Sequence, residues 1–536
     1  MKGPPTVGVV GGGIAGLSCA HRLQELGLAV TLYDTGKRGT GGRCSSRLWN
    51  GKLPVDHASQ VAEARTASFQ ELLATLQKEG KTRRLGDDAV TSLKVPGVAT
   101  PLGKDAIPRY IGVGGMGAIA DALAAGLEDV RTDVWVSPNG GIRRNAGDGS
   151  WIVKEGKGVE SRYDAVIVAH NGKCAERLTS RQPSSRVHAL LRAKFAPRAP
   201  KTASPGSGRM TLNSMYSLLF EVPKGLMPAD LGAVNYVTCD PTLRLLANNH
   251  AKHAPGGGAD EPTEVWTALS SGAFGKAHKA AQEFIEGTEV ETEVTNLMLE
   301  AVGRAVGLGE DAIPPSRLVA SKLQLWGAAV PITAWDGGAF AWDADCTIGI
   351  CGDWLMPAEK TDSYAAPSTI ESAWLSGQAL AEHMADAELR ATSHGLQLGE
   401  GGGRFVPVDA GGFGEGGTAG ASAWVSAPGA SSPRSSSPPN TRRRDSTPPK
   451  KAASSDQLFV RNVPYAASEG EIQELFATAG KVVFVKLLEG SDGRPRGQAR
   501  VRMESASDAQ AALALDGREL GGRSIKVQND ERRKVG

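Results

Sequence analysis

The chain has 536 residues, 40% hydrophobic and 22% charged, and its 60 basic and 58 acidic residues leave a net charge of only +2. This balance excludes a polycation that coats nucleic acid along its whole length, so any such contact must be local. No apolar run approaches the ~18 residues of a membrane helix. The six cysteines, Cys19, Cys44, Cys174, Cys239, Cys346 and Cys351, form no CxxC pair, which argues against a metal site and against a disulfide-stapled fold. The opening MKGPPTVGVV carries no readable targeting signal, so a cytoplasmic or nuclear protein is expected.

Three textures divide the chain. Residues 1–388 alternate apolar strand-like runs with helical patterns, as an α/β fold requires, and about 190–340 reads as a substrate domain inserted in it. Residues 389–455 are rich in Gly, Ser, Pro and Arg and poor in large apolar side chains, which reads as a disordered linker. Residues 456–530 return to a globular strand–helix–strand–strand–helix–strand order.

Thr6–Val10 reads as a buried strand, followed by Gly11, Gly13 and Gly16 in G-x-G-x-x-G spacing. A helix then runs to about Leu26, with Ala15, Cys19, Leu23 and Leu26 on one stripe and Gly27 as its stop. A second strand, Val30–Tyr33, ends in Asp34. The three glycines suit a tight turn, close approach to a pyrophosphate and close helix packing, the helix N-terminus attracts phosphate, and Asp34 would accept ribose hydroxyls. The pattern predicts a Rossmann-type dinucleotide site, and these residues alone leave FAD and NAD open.

Further along stand Gly39-Thr40-Gly41-Gly42-Arg43, Val55-Asp56-His57-Ala58-Ser59-Gln60, Gly114-Gly115-Met116, the strand Ala165–Ala169, and Trp326 followed by Ala328–Pro331. Near the end of this region, Gly349-Ile350-Cys351-Gly352-Asp353-Trp354 precedes a helix over Ser368–Met384. Ser368 and Glu371 read as its capping box, and Ile370, Trp374, Gly377, Ala381 and Met384 as its packing stripe. Over roughly residues 5–386 this set resembles the renalase-like family of FAD-dependent oxidoreductases, relatives of the flavin amine oxidases.

The resemblance implies a mixed-sheet substrate domain and non-covalent FAD, because no Cys or His matches an attachment position. It implies cofactor contacts at Gly11, Gly13, Ile14, Ala15, Gly16, Asp34, Thr35, Gly41, Gly42, Arg43, Val136, Gly352, Asp353, Thr369 and Ile370. The N-terminus of the last helix would face the flavin ring and stabilise negative charge on it. The implied substrate is a reduced nicotinamide species or a small amine, with dioxygen as electron acceptor. Catalytic residues are not legible; Gln60, near the flavin in the family, and Trp326, core or substrate wall, are the candidates. His57 and His170 suit structural roles better than catalytic ones, and Cys44 suits a buried inert thiol. Asn171 departs from the Pro that relatives often carry there.

In the third region, Leu458–Val463 and Arg496–Met503 resemble the two RNP motifs of RNA-recognition (RRM) domains. Alternation puts Phe459, Arg461, Gln498, Arg500 and Arg502 on one sheet face, with Lys486 and Lys526 on neighbouring strands. Phe459 is the one RNP aromatic, since Gln498 and Arg500 stand where two more rings are usual. This predicts a basic face for single-stranded RNA, while Arg434, Arg442, Arg443, Arg444, Lys450 and Lys451 read as a phosphate-binding arm or a nuclear-import signal, with Ser432, Ser437 and Thr447 as candidate phosphosites that would cancel the charge. The alternative reading is an RNA-binding protein whose flavin domain is a structural or redox-sensing module.

Overall fold

The computed structural model describes residues 5–103, 107–156, 158–197, 208–254, 256, 261–280, 285–356, 367–399, 401–407, 457–464, 467–489, 495–521 and 523–529. They belong to two compact units divided after residue 432. The basic cluster Arg434–Lys451 and the three phosphosite candidates lie outside the described residues.

In the first unit, β1 (Thr6–Val10), α1 (Ile14–Glu25) and β2 (Ala29–Tyr33) form the expected strand–helix–strand. The sheet continues through β3 (Ala165–Val168) and β4 (Ile348–Ile350), in the order Val130–Arg131, β2, β1, β3, β4, Ala341–Asp343. Every neighbouring pair is parallel except the last. Both faces of such a core are covered, which is why β3 reads as the unbroken apolar run AVIV.

Close packing on this sheet requires glycine at two places. A Cβ at Gly16 would lie 1.9 Å from the Gly11 carbonyl oxygen, and one at Gly377 would lie 2.4 Å from that of Ala15. So α1 sits tight against the strand turn on one side and against α2 (Ile370–Ala385) on the other. The α1 stripe holds for Ala15, Cys19 and Leu23, but Leu26 is the C-cap and is exposed, because the helix ends one residue before it. The capping of α2 also differs from expectation. Thr369 is the N-cap and Ser372 completes the box. Glu371 instead accepts from the backbone N–H groups of Arg65 and Thr66 and from the Thr66 hydroxyl, at the start of the helix Ala67–Lys78.

A second, seven-stranded sheet has the order Ala320–Trp326, Met215–Pro223, Thr263–Ser270, Leu243–Asn248, Val234–Val237, Val90–Val95, Val98–Pro101. The helix Glu289–Ala305 shares a core with it through Val294, Met298, Leu299 and Val302. The expected span of about 190–340 is therefore too narrow, since two strands come from residues 90–101. Val90–Val95 joins parallel to Val234–Val237, a pairing at long sequence separation that local pattern cannot announce.

The linker does not begin at residue 389. Ala387–Arg390 is helical, and Phe405–Pro407 pairs antiparallel with Thr333–Trp335. Leu396 and Phe405 are buried and anchor the glycine-rich stretch between them. A Cβ at Gly403 would meet Gly337 Cα at 2.5 Å, so glycine here serves tight packing rather than looseness.

The second unit has a four-stranded antiparallel sheet. In chain order its elements are β5 (Gln457–Arg461), α3 (Glu469–Ala477), β6 (Val482–Glu489), β7 (Pro495–Met503), α4 (Ala506–Ala512) and β8 (Lys526–Asn529). Across the sheet the order is β6-β7-β5-β8. Leu458, Val460, Val485, Ala499, Val501 and Val527 point into a core shared with Ile472 and Phe476 of α3. Alternation therefore turns the intervening residues to the opposite face.

Candidate cofactor cavity and nucleic-acid interface

Where β1 passes into α1, the N-cap Gly13 is extended and offers no side chain to cap the first-turn N–H groups. A Cβ at Gly13 would meet nothing within 4 Å. The open space there belongs to a cavity of about 390 Å³ at the C-terminal ends of β1, β3 and β4.

Fourteen of the fifteen residues assigned to the cofactor line this cavity: Gly11, Gly13, Ile14, Ala15, Asp34, Thr35, Gly41, Gly42, Arg43, Val136, Gly352, Asp353, Thr369 and Ile370. Gly16 does not, because it packs under Gly11. The turn carrying Gly41 is held against the first loop by the Gly41 N–H, which donates to the Gly12 carbonyl at 2.7 Å. Gly41 and Gly42 have φ of +111° and +54°, left-handed values that favour glycine.

Asp34 accepts from the Gly12 and Gly36 backbone N–H groups at 2.8 and 2.7 Å, one on each carboxylate oxygen. Each oxygen keeps further acceptor capacity toward the cavity. Burial pushes this carboxyl above its ordinary value, against the two N–H donors. Arg43 donates to the Ala329 carbonyl at 2.8 Å and pairs with buried Asp353 at 2.8 Å. One guanidinium thus ties the glycine turn to the loop after β4, two segments some 300 residues apart.

Trp326, at the end of its strand, lines the cavity. Its indole N–H donates to the His57 carbonyl at 3.2 Å, and the two rings stack at 5.4 Å and 20°. Burial, and then Arg47, lower His57 to about 3, so this ring is a neutral backing plate for the indole. His170 also lines the cavity, with Nδ1 3.2 Å from the Val10 carbonyl oxygen. Cys44 lines it as well, and burial raises its thiol far from the reactive range. Sequence reasoning missed Ser59, Val134, Trp135, Ala328, Trp354 and Ser368 as lining residues. Val134 and Trp135 carry no motif, whereas Ser59, Ala328, Trp354 and Ser368 stand in the quoted segments beside assigned positions.

Gln60 is not among the lining residues. It is buried beside a charged cluster, where its Oε1 accepts from Lys252 Nζ at 2.9 Å and its Nε2 donates to the Asp56 carbonyl. Lys252 Nζ lies 2.6 Å from Asp56 Oδ2, His253 Nε2 lies 2.7 Å from the same oxygen, and Ser46 and the Met116 N–H donate to Oδ1. Burial alone would raise the Asp56 carboxyl, but the Lys252 ammonium and His253 outweigh it and hold it well below the usual carboxylate range. The cluster clamps residues 56–60, which carry His57 and Ser59. Lys252 escaped the sequence reading because nothing local marks a buried lysine. Among the described residues, no group of His, Cys, Asp and Glu is arranged to hold a metal ion, and no helix is long and apolar enough to cross a membrane.

On the second unit, Lys486, Arg500, Phe459 and Gln528 stand in one cross-strand row. The next row on one side holds Gln498, Arg461 and Lys526, and the next on the other holds Phe484, Arg502 and Gln457. All six assigned RNA residues share this face. The Arg461 guanidinium lies 5.4 Å from the Phe459 ring centroid, and Lys526 reaches Asp516 at 3.5 Å. Phe459 is the one RNP ring, and β6 adds a second ring outside the RNP motifs. Phe484 is 49% exposed on the same face.

Residues 458–526 match the RNA recognition motif family. The C-terminal unit is an RRM domain. Residues 9–76 match the NAD(P)-binding Rossmann-like domain family, which covers the end of β1, α1, β2 and the Gly41–Arg43 turn. Over 75 residues, 14% of this chain, the RRM is 39% identical to glycine-rich RNA-binding protein 5, mitochondrial, of Arabidopsis thaliana and 40% identical to nucleolin of Gallus gallus. The matches span only 26% and 10% of those two proteins. Among solved structures, wild-type putrescine oxidase bound to putrescine aligns over 71% of this chain and 99% of its own, at 13% identity and a TM-score of 0.44. Reduced UDP-galactopyranose mutase aligns over 61% and 84%, at 12% identity and a TM-score of 0.42. The chain therefore joins a Rossmann-type dinucleotide-binding fold to an RRM.

Proposed function

We propose that the first unit is an FAD-dependent oxidoreductase of renalase-like type that acts on a reduced nicotinamide species or a small amine, with dioxygen as acceptor, and that the RRM binds single-stranded RNA. The observation that carries the enzyme reading is the single cavity joining the uncapped start of α1, Asp34, the Gly41–Arg43 turn, Val136 and the loop after β4. These residues fit a dinucleotide. The Gly13 gap admits a pyrophosphate next to unpaired N–H groups and the positive end of α1. Asp34 has acceptor capacity for ribose hydroxyls, with Thr35 and Val136 beside it.

A bound flavin would supply hydride acceptance from the substrate and passage of the two electrons, with protons, to dioxygen as hydrogen peroxide. The chain's own residues bind, orient and shield. Arg43, held by Asp353, brings a fixed positive charge to the cavity wall, and the start of α2 at Thr369–Ile370 directs its dipole into the same space. Trp326, backed by His57, walls the end where the second sheet meets the cavity. The RNA reading rests on the basic face around Phe459 and on the likeness to RNA-binding relatives.

The test is the visible spectrum of the purified full chain. A yellow protein is expected, bleached by reduced nicotinamides or by small amines and recoloured by air, and releasing its flavin on acid precipitation. A protein that stays colourless after incubation with FAD overturns the enzyme reading.

A further inference from the structure

Phe484 is a large ring on an edge strand of the RRM, 49% exposed, with an irregularity in the β6–β7 pairing between Val482 and Phe484. That irregularity changes the facing of β6. Val485 points into the core, whereas Phe484 stands opposite Arg502 on the open face. Leaving half of this ring in water forgoes apolar burial that nothing within the described residues of the domain recovers. Its surroundings are cationic: Arg502 is directly opposite, Arg500 and Lys486 are in the next row, and Phe459 lies beyond them.

Resting on the RNA reading above, we propose that Phe484 is a second base-stacking platform, and that single-stranded RNA runs from Phe459 to Phe484 over the Arg500–Arg502 row. The two rings are two strands apart and offset by two residues, which sheet geometry converts to ~12 Å between their backbones. Stacked bases rise only ~3.4 Å per nucleotide, so the bases on the two rings are not stacked neighbours. The chain between them crosses Arg500 and Arg502, where guanidinium groups suit its phosphates. The edge-strand ring thus takes over the stacking role that Gln498 and Arg500 leave vacant in the middle strand. A protein partner would want a continuous apolar patch; here four cations surround two separated rings.

The experiment is fluorescence anisotropy of the full chain with a labelled single-stranded oligouridine of eight nucleotides at low salt. Phe484→Ala is expected to weaken binding at least fivefold without changing the salt slope, and Phe484→Tyr to restore it to within about twofold. Val483→Ala, at an equally exposed neighbour, leaves affinity unchanged. Because the rings are well separated, the fold losses of Phe459→Ala and Phe484→Ala should multiply in the double variant. If Phe484→Ala binds like wild type while Phe459→Ala is weakened, the second platform is wrong and the RNA reading stands. If Phe484→Tyr fails as badly as Phe484→Ala, a generic stacking role is overturned. If the wild-type chain binds no oligonucleotide even at low salt, the RNA reading fails and this proposal falls with it.

Discussion

The cavity of the first unit has glycine backbone among its lining, whereas the sheet face of the second is made of side chains. In the cavity, glycines at 11, 13, 41 and 42 bring the main chain itself to the ligand space, and the few side chains that matter are held by long-range partners, Arg43 by Asp353 and Trp326 by His57. On the RRM face, recognition depends on which side chains alternate outward from four strands. The difference teaches where each surface is fragile. Adding atoms damages the cavity, and removing them damages the face.

The largest effect should come from Gly13→Val. A Cβ at this position meets no protein atom within 4 Å, so the chain should fold with little change in melting temperature in the absence of ligand, yet purify without flavin. A variant that purifies with full flavin absorbance shows that the gap is not the pyrophosphate site. Next is Lys252→Ala, which strips the ammonium from buried Asp56 and leaves its carboxylate only His253, the Ser46 hydroxyl and the Met116 N–H; a loss of about 3–5 kcal/mol is expected for the first unit in urea unfolding, with the RRM transition unmoved as an internal control.

His57→Phe keeps the stack on Trp326 and removes a titrating group. The His57 pKa is lowered in the folded state to about 3, against ~6.5 unfolded, so between these values the unfolded chain binds the extra proton and stability falls as pH falls. The variant should flatten that acid slope by about 1.4 kcal/mol per pH unit, read from unfolding midpoints at pH 6 and pH 5; identical slopes would mean that His57 is charged or solvated. On the open face, Phe459→Ala should weaken single-stranded RNA by ~1–3 kcal/mol. Arg502→Ala should do least at any one salt concentration, lowering affinity across all sequences and reducing the slope of log affinity against log salt by about one.

Local pattern carried the parts that obey local physics. The Gly11–Gly16 spacing, the strand before it, the acid after it and the alternation around Phe459 each follow from backbone sterics or from a period of two. Gly11, Gly13, Ile14, Ala15 and Asp34 line the cavity for that reason, and Gly41, Gly42, Arg43, Val136, Gly352, Asp353, Thr369 and Ile370, which the family resemblance implied, join them there. What composition misjudged was glycine: residues 389–407 look like linker, yet Gly403 packs against Gly337 and Phe405 is buried.

By itself, then, the amino-acid order determined the strand–turn–helix around Gly11–Gly16 and the outward alternation around Phe459, because turn geometry, helix starts and strand alternation are properties of a few neighbouring residues. Only the tertiary structure decided that Gln60 serves Lys252 rather than the cavity, that residues 90–101 belong to the second sheet, that Glu371 caps a different helix and that Phe484 faces outward with Phe459. The first three outcomes rest on pairings between segments far apart in sequence, and the last on a register irregularity between the neighbouring strands β6 and β7. Such pairings are settled by which buried charge finds a partner and which strand edge fits, and no local period records them.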